Sequence, residues 1–270
     1  MGDKPRILIG TVTNQVKDYC WAAFKKQLLE FKKLGHDVLI VDNTHKIINR
    51  PPFKTIHYNP KPIYSKLAGT GRNPLTVITR DCMNILRDEF LKGDYTHLFV
   101  LESDVFIEIE RLQKLVDMKA DVANYTYPMR LSRNNGLISL CVQSRGTDNA
   151  SIMLSPQDSK DLVESGLKVL NVDTINGRTI SHCGYGCTLI SRKVLEKIEF
   201  QAVITPDGKQ PFPDSMFHED VKSNNFYSVL DTDYLAFHAN LHDETVKYKR
   251  VLDIQSKTTR RQRRASKRRN

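Results

Sequence analysis

The chain has 270 residues, 40% of them apolar, and a net charge of +10, which suits one large α/β domain with an ordinary core and excludes wholesale disorder. No apolar run approaches the roughly 20 residues that span a bilayer, and the charged start from Met1 to Arg6 leads into strand-like sequence rather than a leader, so a cytoplasmic protein is expected. Five cysteines without a CxxC pair argue against a disulfide framework or a structural zinc.

Residues 6–12 (RILIGTV) are a short apolar run before Thr13-Asn14 and read as the buried first strand of a Rossmann-like start. Lys17 to Leu34 then places Trp21, Phe24, Leu28, Phe31 and Leu34 at three- and four-residue spacing. This predicts a helix with one apolar face, stopped by Gly35. Val38 to Val41 is a second buried strand ending in Asp42-Asn43. The proline-rich stretch from Arg50 to Pro74 has no sustained period and reads as an extended loop that orders over a ligand. Leu75 to Leu91 returns to helical spacing, and Thr96 to Val100 is an apolar strand running directly into Leu101-Glu102-Ser103-Asp104. Beyond it the pattern predicts a helix over 109–118, a strand over 121–125 and hairpin strands over 137–142 and 151–154. A strand over 179–183, another over 188–190 and a helix over 192–198 complete the series.

The chemistry gathers at the strand ends. Glu102 and Asp104 lie two apart where a buried strand ends, the place at which open α/β sheets bind ligands. Hard divalent cations take oxygen ligands, and Mg2+ or Mn2+ on one or two carboxylates completes its shell with phosphate and water. On spacing alone, such a metal site and a simple cap on the next helix fit equally well.

The order of segments from Arg6 to His242 resembles the GT-A glycosyltransferases, especially the inverting family 2 type. LESDVFI looks like that family's aspartate-any-aspartate motif with Glu102 in the first place. Thr79-Arg80-Asp81 stands where the family has its Ala-Arg-Asn helix start. HCGYGCTLISRKVLEKI (182–198) resembles the strand and helix that line the sugar and acceptor site. Phe217-His218-Glu219-Asp220-Val221 is similar to the family's acidic pair before a helix, and DTDYLAFH (231–238) to the last core strand before a metal-binding histidine.

The resemblance implies a Rossmann-like GT-A domain over 1–256 with a mixed central sheet, binding Mn2+ or Mg2+ and a nucleotide-sugar donor, by default a UDP-sugar. It implies Glu102, Asp104 and His238 as metal ligands, with His242 a nearby rival to His238. Thr11, Thr13, Asn14, Asp42, Asn43, Arg80, Ser103, Gly184 and Gly186 are the implied donor contacts. Asp220, with Glu219 second, is the implied base. Each has an ordinary counterpart: turn formation for Asp42-Asn43 and the glycines, a solvated helix face for Arg80, favourable charge at a helix N-terminus for Glu219 and Asp220.

Eight Lys or Arg and no acid lie from Lys257 onward, so the upstream residues carry only +2 of the +10. Residues 257–270 read as a disordered basic tail. Such a tail neutralises phosphates, so the expected acceptor includes DNA carrying hydroxymethylated pyrimidines, as in phage-type DNA-modifying glycosyltransferases. A glycan or lipid-linked acceptor, and a non-catalytic nucleic-acid-binding protein on a degenerate transferase fold, are the alternatives. A nucleotidyltransferase is a third, disfavoured because no glycine-rich basic loop follows the first strand.

Overall fold

The computed structural model describes residues 5–44, 47–60, 74–130, 138–146, 151–203 and 211–239. The rival His242 and the basic tail from Lys257 lie outside the described residues.

An eight-stranded mixed sheet organises the chain. Its strands are β1 (Ile7–Thr13), β2 (Asp37–Asp42), β3 (Lys54–His57), β4 (His97–Leu101), β6 (Val122–Thr126), β11 (Lys168–Val169), β14 (Cys187–Ser191) and β15 (Ser228–Leu235), in the order β11-β15-β6-β14-β4-β1-β2-β3. Only β14 and β11 run against their neighbours. The carboxyl ends of β1, β2, β4, β6 and β15 therefore share one edge, the edge that binds ligands in open α/β sheets.

Alternation along each strand loads both faces. Ile7 and Ile9 point into one apolar layer with Phe24, Leu28 and Phe31 of α1 (Trp21–Lys33) and Leu112 and Leu115 of α3 (Glu110–Asp117). Leu8 points into the opposite layer, with Met83, Leu86 and Phe90 of α2 (Pro74–Lys92), Val194 and Leu195 of α5 (Arg192–Lys197), and Phe217 and Val221 of α6 (Pro213–Ser223). Each large side chain so buried contributes on the order of 1.5–3 kcal/mol.

A second sheet, β10 (Ser151–Met153), β9 (Val142–Arg145), β13 (Arg178–Cys183) and β12 (Thr174–Ile175), packs a third apolar cluster with α4 (Pro156–Val163). Two short ladders complete the edge: β5 (Val105–Phe106) with β16 (Phe237–His238), and β7 (Pro128–Arg130) with β8 (Ile138–Leu140).

Three expectations need correction. The first helix begins at Trp21, not Lys17: residues 15–20 form a 3-10 turn whose start is capped by Asn14, its side chain accepting from the Val16 N–H at 2.9 Å. The turn faces Lys17 and Tyr19 toward the carboxyl edge of the sheet. Within the proline-rich stretch, residues 54–57 are strand β3 beside β2 rather than loop. Glu219 and Asp220 lie inside α6, seven and eight residues into an eleven-residue helix, rather than before it. A favourable charge at a helix N-terminus therefore does not apply to them, since that effect fades within the first turn.

Candidate metal and donor site

Chain geometry makes the centre of the site at the end of β4. The Glu102 N–H donates to the Gly186 carbonyl at 3.1 Å, and the Val105 N–H closes a turn onto the Glu102 carbonyl at 2.9 Å. His238 pairs with Val105 across the β16–β5 ladder, and the Ala239 N–H donates to the Asp104 carbonyl at 2.8 Å. These backbone bonds bring the last described strand against the acidic turn. Oxygen or nitrogen atoms of Glu102, Asp104 and His238 all lie within 4.8 Å of one another.

Asp104 is buried and surrounded by donors. Its Oδ2 faces His238 Nε2 at 3.3 Å and the Tyr19 hydroxyl at 3.4 Å, and the Lys17 ammonium rests on the same oxygen. Its Oδ1 is buried with no hydrogen-bond partner among the described residues. Burial by itself raises the Asp104 carboxyl, but the His238 hydrogen bond and the Lys17 charge outweigh it and hold the group below its usual value. Glu102 moves the other way: burial, then the Asp104 charge beside it, raises it.

The His238 ring is oriented from behind. Its Nδ1 lies 3.1 Å from the Pro128 carbonyl, which can only accept, so Nδ1 carries a hydrogen and Nε2 is the nitrogen turned toward Asp104. Metal-binding histidines are held in this way. Two carboxylates, one of them with a buried oxygen that has no partner among the described residues, and an imidazole nitrogen are a donor set that fits Mn2+ or Mg2+.

The implied donor contacts divide into two groups. At the ends of β1 and β2, the hydroxyls of Thr11 and Thr13 and Asn43 Oδ1 are buried without hydrogen-bond partners among the described residues, as is Ser103 Oγ beside Asp104. These atoms are buried with their hydrogen-bonding capacity unmet among the described residues. Asn14 is engaged as the cap of the 3-10 turn. Asp42 is buried, with Oδ1 accepting from the Thr44 N–H at 2.8 Å and Oδ2 from Arg50 Nε at 2.5 Å. Arg50 is also buried, reaching Asp18 at 2.9 Å and stacking 4.4 Å above the Trp21 ring. Arg80, on α2, is paired with Asp81 at 2.6 Å.

Gly184 and Gly186 are glycines because Tyr127 lies against them. A Cβ on Gly186 would stand 2.4 Å from Tyr127 Cε1, and one on Gly184 would stand 2.6 Å from Cys141 Sγ. The turn therefore packs on an aromatic floor and offers its Gly186 carbonyl to Glu102.

The acids of α6 sit in three environments. Glu219 accepts from Arg145 and from His182 Nε2 at 2.7 Å. Burial and the positive charges of His218 and Arg145 lower the His182 imidazole to about 3, so that ring is neutral. Asp220 is raised by burial and keeps a buried Oδ2 without a hydrogen-bond partner among the described residues.

Asp214, in the first turn of α6, was missed from sequence. Burial pushes its carboxyl up to about 6; the Ser215 N–H, at 2.7 Å, holds it down, and the Glu102 charge pushes with the burial. Its field is also felt at Tyr127, Cys141, Cys183 and Tyr185, the side chains around the Gly184–Gly186 turn. The charges of Asp214 and Glu102 thus both act on Tyr127 and Cys141 beside that turn. The signal was present: Pro213 followed by an acid is a helix start.

Comparison with known proteins bears on the fold. No family model and no curated protein matches the chain. Among solved structures, GalNAc-T7 with UDP, GalNAc and Mn2+ superposes with a TM-score of 0.51 at 9% identity, over 88% of this chain and 44% of that one. S. aureus TarS 1–349 in complex with UDP gives 0.49 at 12% identity, over 94% and 65%. A CMP:2-keto-3-deoxy-manno-octonic acid synthetase complexed with CTP gives 0.40 at 9% identity, over 95% and 99%. The chain spans less than half of GalNAc-T7 and less than two thirds of that TarS chain. It has the GT-A fold, with the mixed central sheet expected of it. Among the described residues no helix is long and apolar enough to cross a membrane.

Proposed function

We propose that the chain is a divalent-metal-dependent glycosyltransferase that moves a sugar from a UDP-sugar to a hydroxyl acceptor with inversion. The observation that carries this reading is the convergence of Glu102, Asp104 and His238 at the carboxyl end of β4, on a fold shared with GalNAc-T7. Fold alone does not assign activity, but this donor set lies where a nucleotide diphosphate binds in a doubly wound sheet.

Asp104 and His238 hold the metal, with Glu102 beside them; when bound, Mn2+ or Mg2+ supplies positive charge to the departing diphosphate. Thr11, Thr13, Asn43 and Ser103 offer the unpartnered groups that receive the nucleotide. A carboxylate on α6 takes the proton from the acceptor hydroxyl as its oxygen bonds to the anomeric carbon and the bond to the diphosphate oxygen breaks. Asp214 suits this step best. It feels the charge of Glu102, and a base near 6 holds a proton better than an ordinary carboxylate while remaining ionised at neutral pH. Asp220, the choice from sequence, is the second reading, favoured by its unpartnered Oδ2. Glu219 is tied to Arg145 and His182.

The eight basic residues from Lys257 support a polyanionic acceptor, with hydroxymethylated pyrimidines in DNA as the first to test. The defining experiment is thermal stability against UDP, GDP and UDP-sugars, each with Mn2+ and with chelator. Stabilisation by UDP that needs the metal supports the donor site. No shift with any nucleotide favours a binding protein on a transferase fold.

A further inference from the structure

Lys17 has no part in the family resemblance, yet it makes a direct ion pair at the centre of the site. Its ammonium rests on Asp104 Oδ2, the oxygen that also faces His238 Nε2. The pair joins a buried carboxylate, 4% exposed, to a lysine side chain that is 32% exposed. The ammonium therefore stands between the metal-binding carboxylate and solvent. Its backbone is tied to the same place: Cys20 Sγ bridges the Lys17 carbonyl at 3.1 Å and the Ser103 carbonyl at 3.2 Å, and the Gln15 N–H donates to Thr44 Oγ1 at 2.9 Å. The turn is anchored, and the lysine side chain it carries is a long, flexible stem.

We propose that Lys17 is a displaceable resident cation: it neutralises Asp104 until a divalent ion takes that oxygen, and then carries its charge to the diphosphate that arrives with the ion. The inference rests on the metal site proposed above. Two cations cannot share Asp104 Oδ2 at contact distance without repulsion. A metal ion entering alone must leave the ammonium without its partner, whereas an ion entering with a diphosphate brings the displaced lysine new negative oxygens. Metal and donor thus bind cooperatively through Lys17, and by linkage each tightens the other equally. A lysine suits the role, being a compact point charge on a flexible stem.

The test is Mn2+ binding to the full chain, followed by the electron paramagnetic resonance of the free ion, with and without UDP. In Lys17→Met, Mn2+ alone is expected to bind roughly tenfold more tightly, the scale of one screened like-charge contact. The factor by which UDP tightens Mn2+ is expected to fall at least as much, and Lys17→Arg, which keeps the charge, is expected to retain most of it. An unfolded Lys17→Met would bind Mn2+ more weakly, so a loss of folding cannot imitate the expected result. Equal Mn2+ affinity in the wild type and a folded Lys17→Met, or an unchanged UDP factor, overturns the part assigned to Lys17 alone. Failure of both proteins to bind Mn2+ overturns the metal site and this inference with it.

Discussion

His238 Nε2 stands 3.3 Å from Asp104 Oδ2, held there because its Nδ1 hydrogen is directed at the Pro128 carbonyl. The ring is thereby fixed between the two rather than left to rotate. Asp104→Asn and His238→Ala are each expected to abolish the metal-dependent part of UDP stabilisation. In the wild type that part amounts to about 2.7 kcal/mol with ligand at a hundred times its dissociation constant. Thermal shifts with Mn2+ and with chelator measure it. A full shift in either variant would remove that residue from the metal site.

The base assignment separates Asp214 from Asp220. Asp214→Asn is expected to lower kcat by roughly 10²- to 10⁴-fold while Mn2+-dependent UDP binding persists. A base must be unprotonated, so wild-type turnover should rise with pH through about 6, the value to which burial pushes Asp214, and level off above it. Loss of kcat in Asp220→Asn, with Asp214→Asn close to wild type, would return the role to Asp220.

Arg50 and Asp42 form a buried ion pair under the Trp21 ring. Arg50→Met strands the Asp42 carboxylate and is expected to cost about 3–5 kcal/mol. Urea unfolding gives the value. A cost below about 1 kcal/mol, the range of exposed pairs, would show that Asp42 is not bound to a structural role and is available for the donor base.

His218 is buried in α6 with its Nε2 3.4 Å from Cys183 Sγ, and burial lowers its imidazole from the usual 6.5 to about 4. At this residue the unfolded chain therefore binds one more proton than the folded chain between those values. Stability is fully present above about 6.5 and falls as pH drops toward 4. Unfolding free energies in that window should lose one proton's worth of slope in His218→Gln, while His182, lowered to about 3, keeps contributing in the same direction and Asp214, raised to about 6, in the opposite one. An unchanged slope in the variant would assign the acid sensitivity elsewhere.

The main sheet was largely legible in advance because its strands and helices carry strong local periods. β1, β2 and β4 read as short apolar runs, and α1 and α2 as apolar stripes, to within a few residues of their observed ends. β3 was hidden by the prolines around it, since a four-residue edge strand has too little pattern to compete with them. Helix α4 was overlooked although Ser155 and Asp158 form a capping box. The 3-10 turn at 15–20 escaped because the periodicity of α1 extrapolates smoothly backward through it.

By itself the sequence determined the alternation of strands and helices, and with it the edge on which a ligand site must lie, because burial of apolar faces is a local periodic demand. It also placed Glu102 and Asp104 together, being two residues apart. Only the tertiary structure decided what surrounds them. Lys17, Tyr19 and His238 reach Asp104 from opposite ends of the described chain through the pairing of β16 with β5 and the anchoring of the 3-10 turn. The phase of α6 set the fates of its acids. Asp214 shares the face of Phe217, His218 and Val221 and feels the Glu102 charge, while Glu219 and Asp220 fall to its two flanks. The charge on a carboxylate depends on the atoms that fold against it, and those come from segments whose nearness no local pattern records.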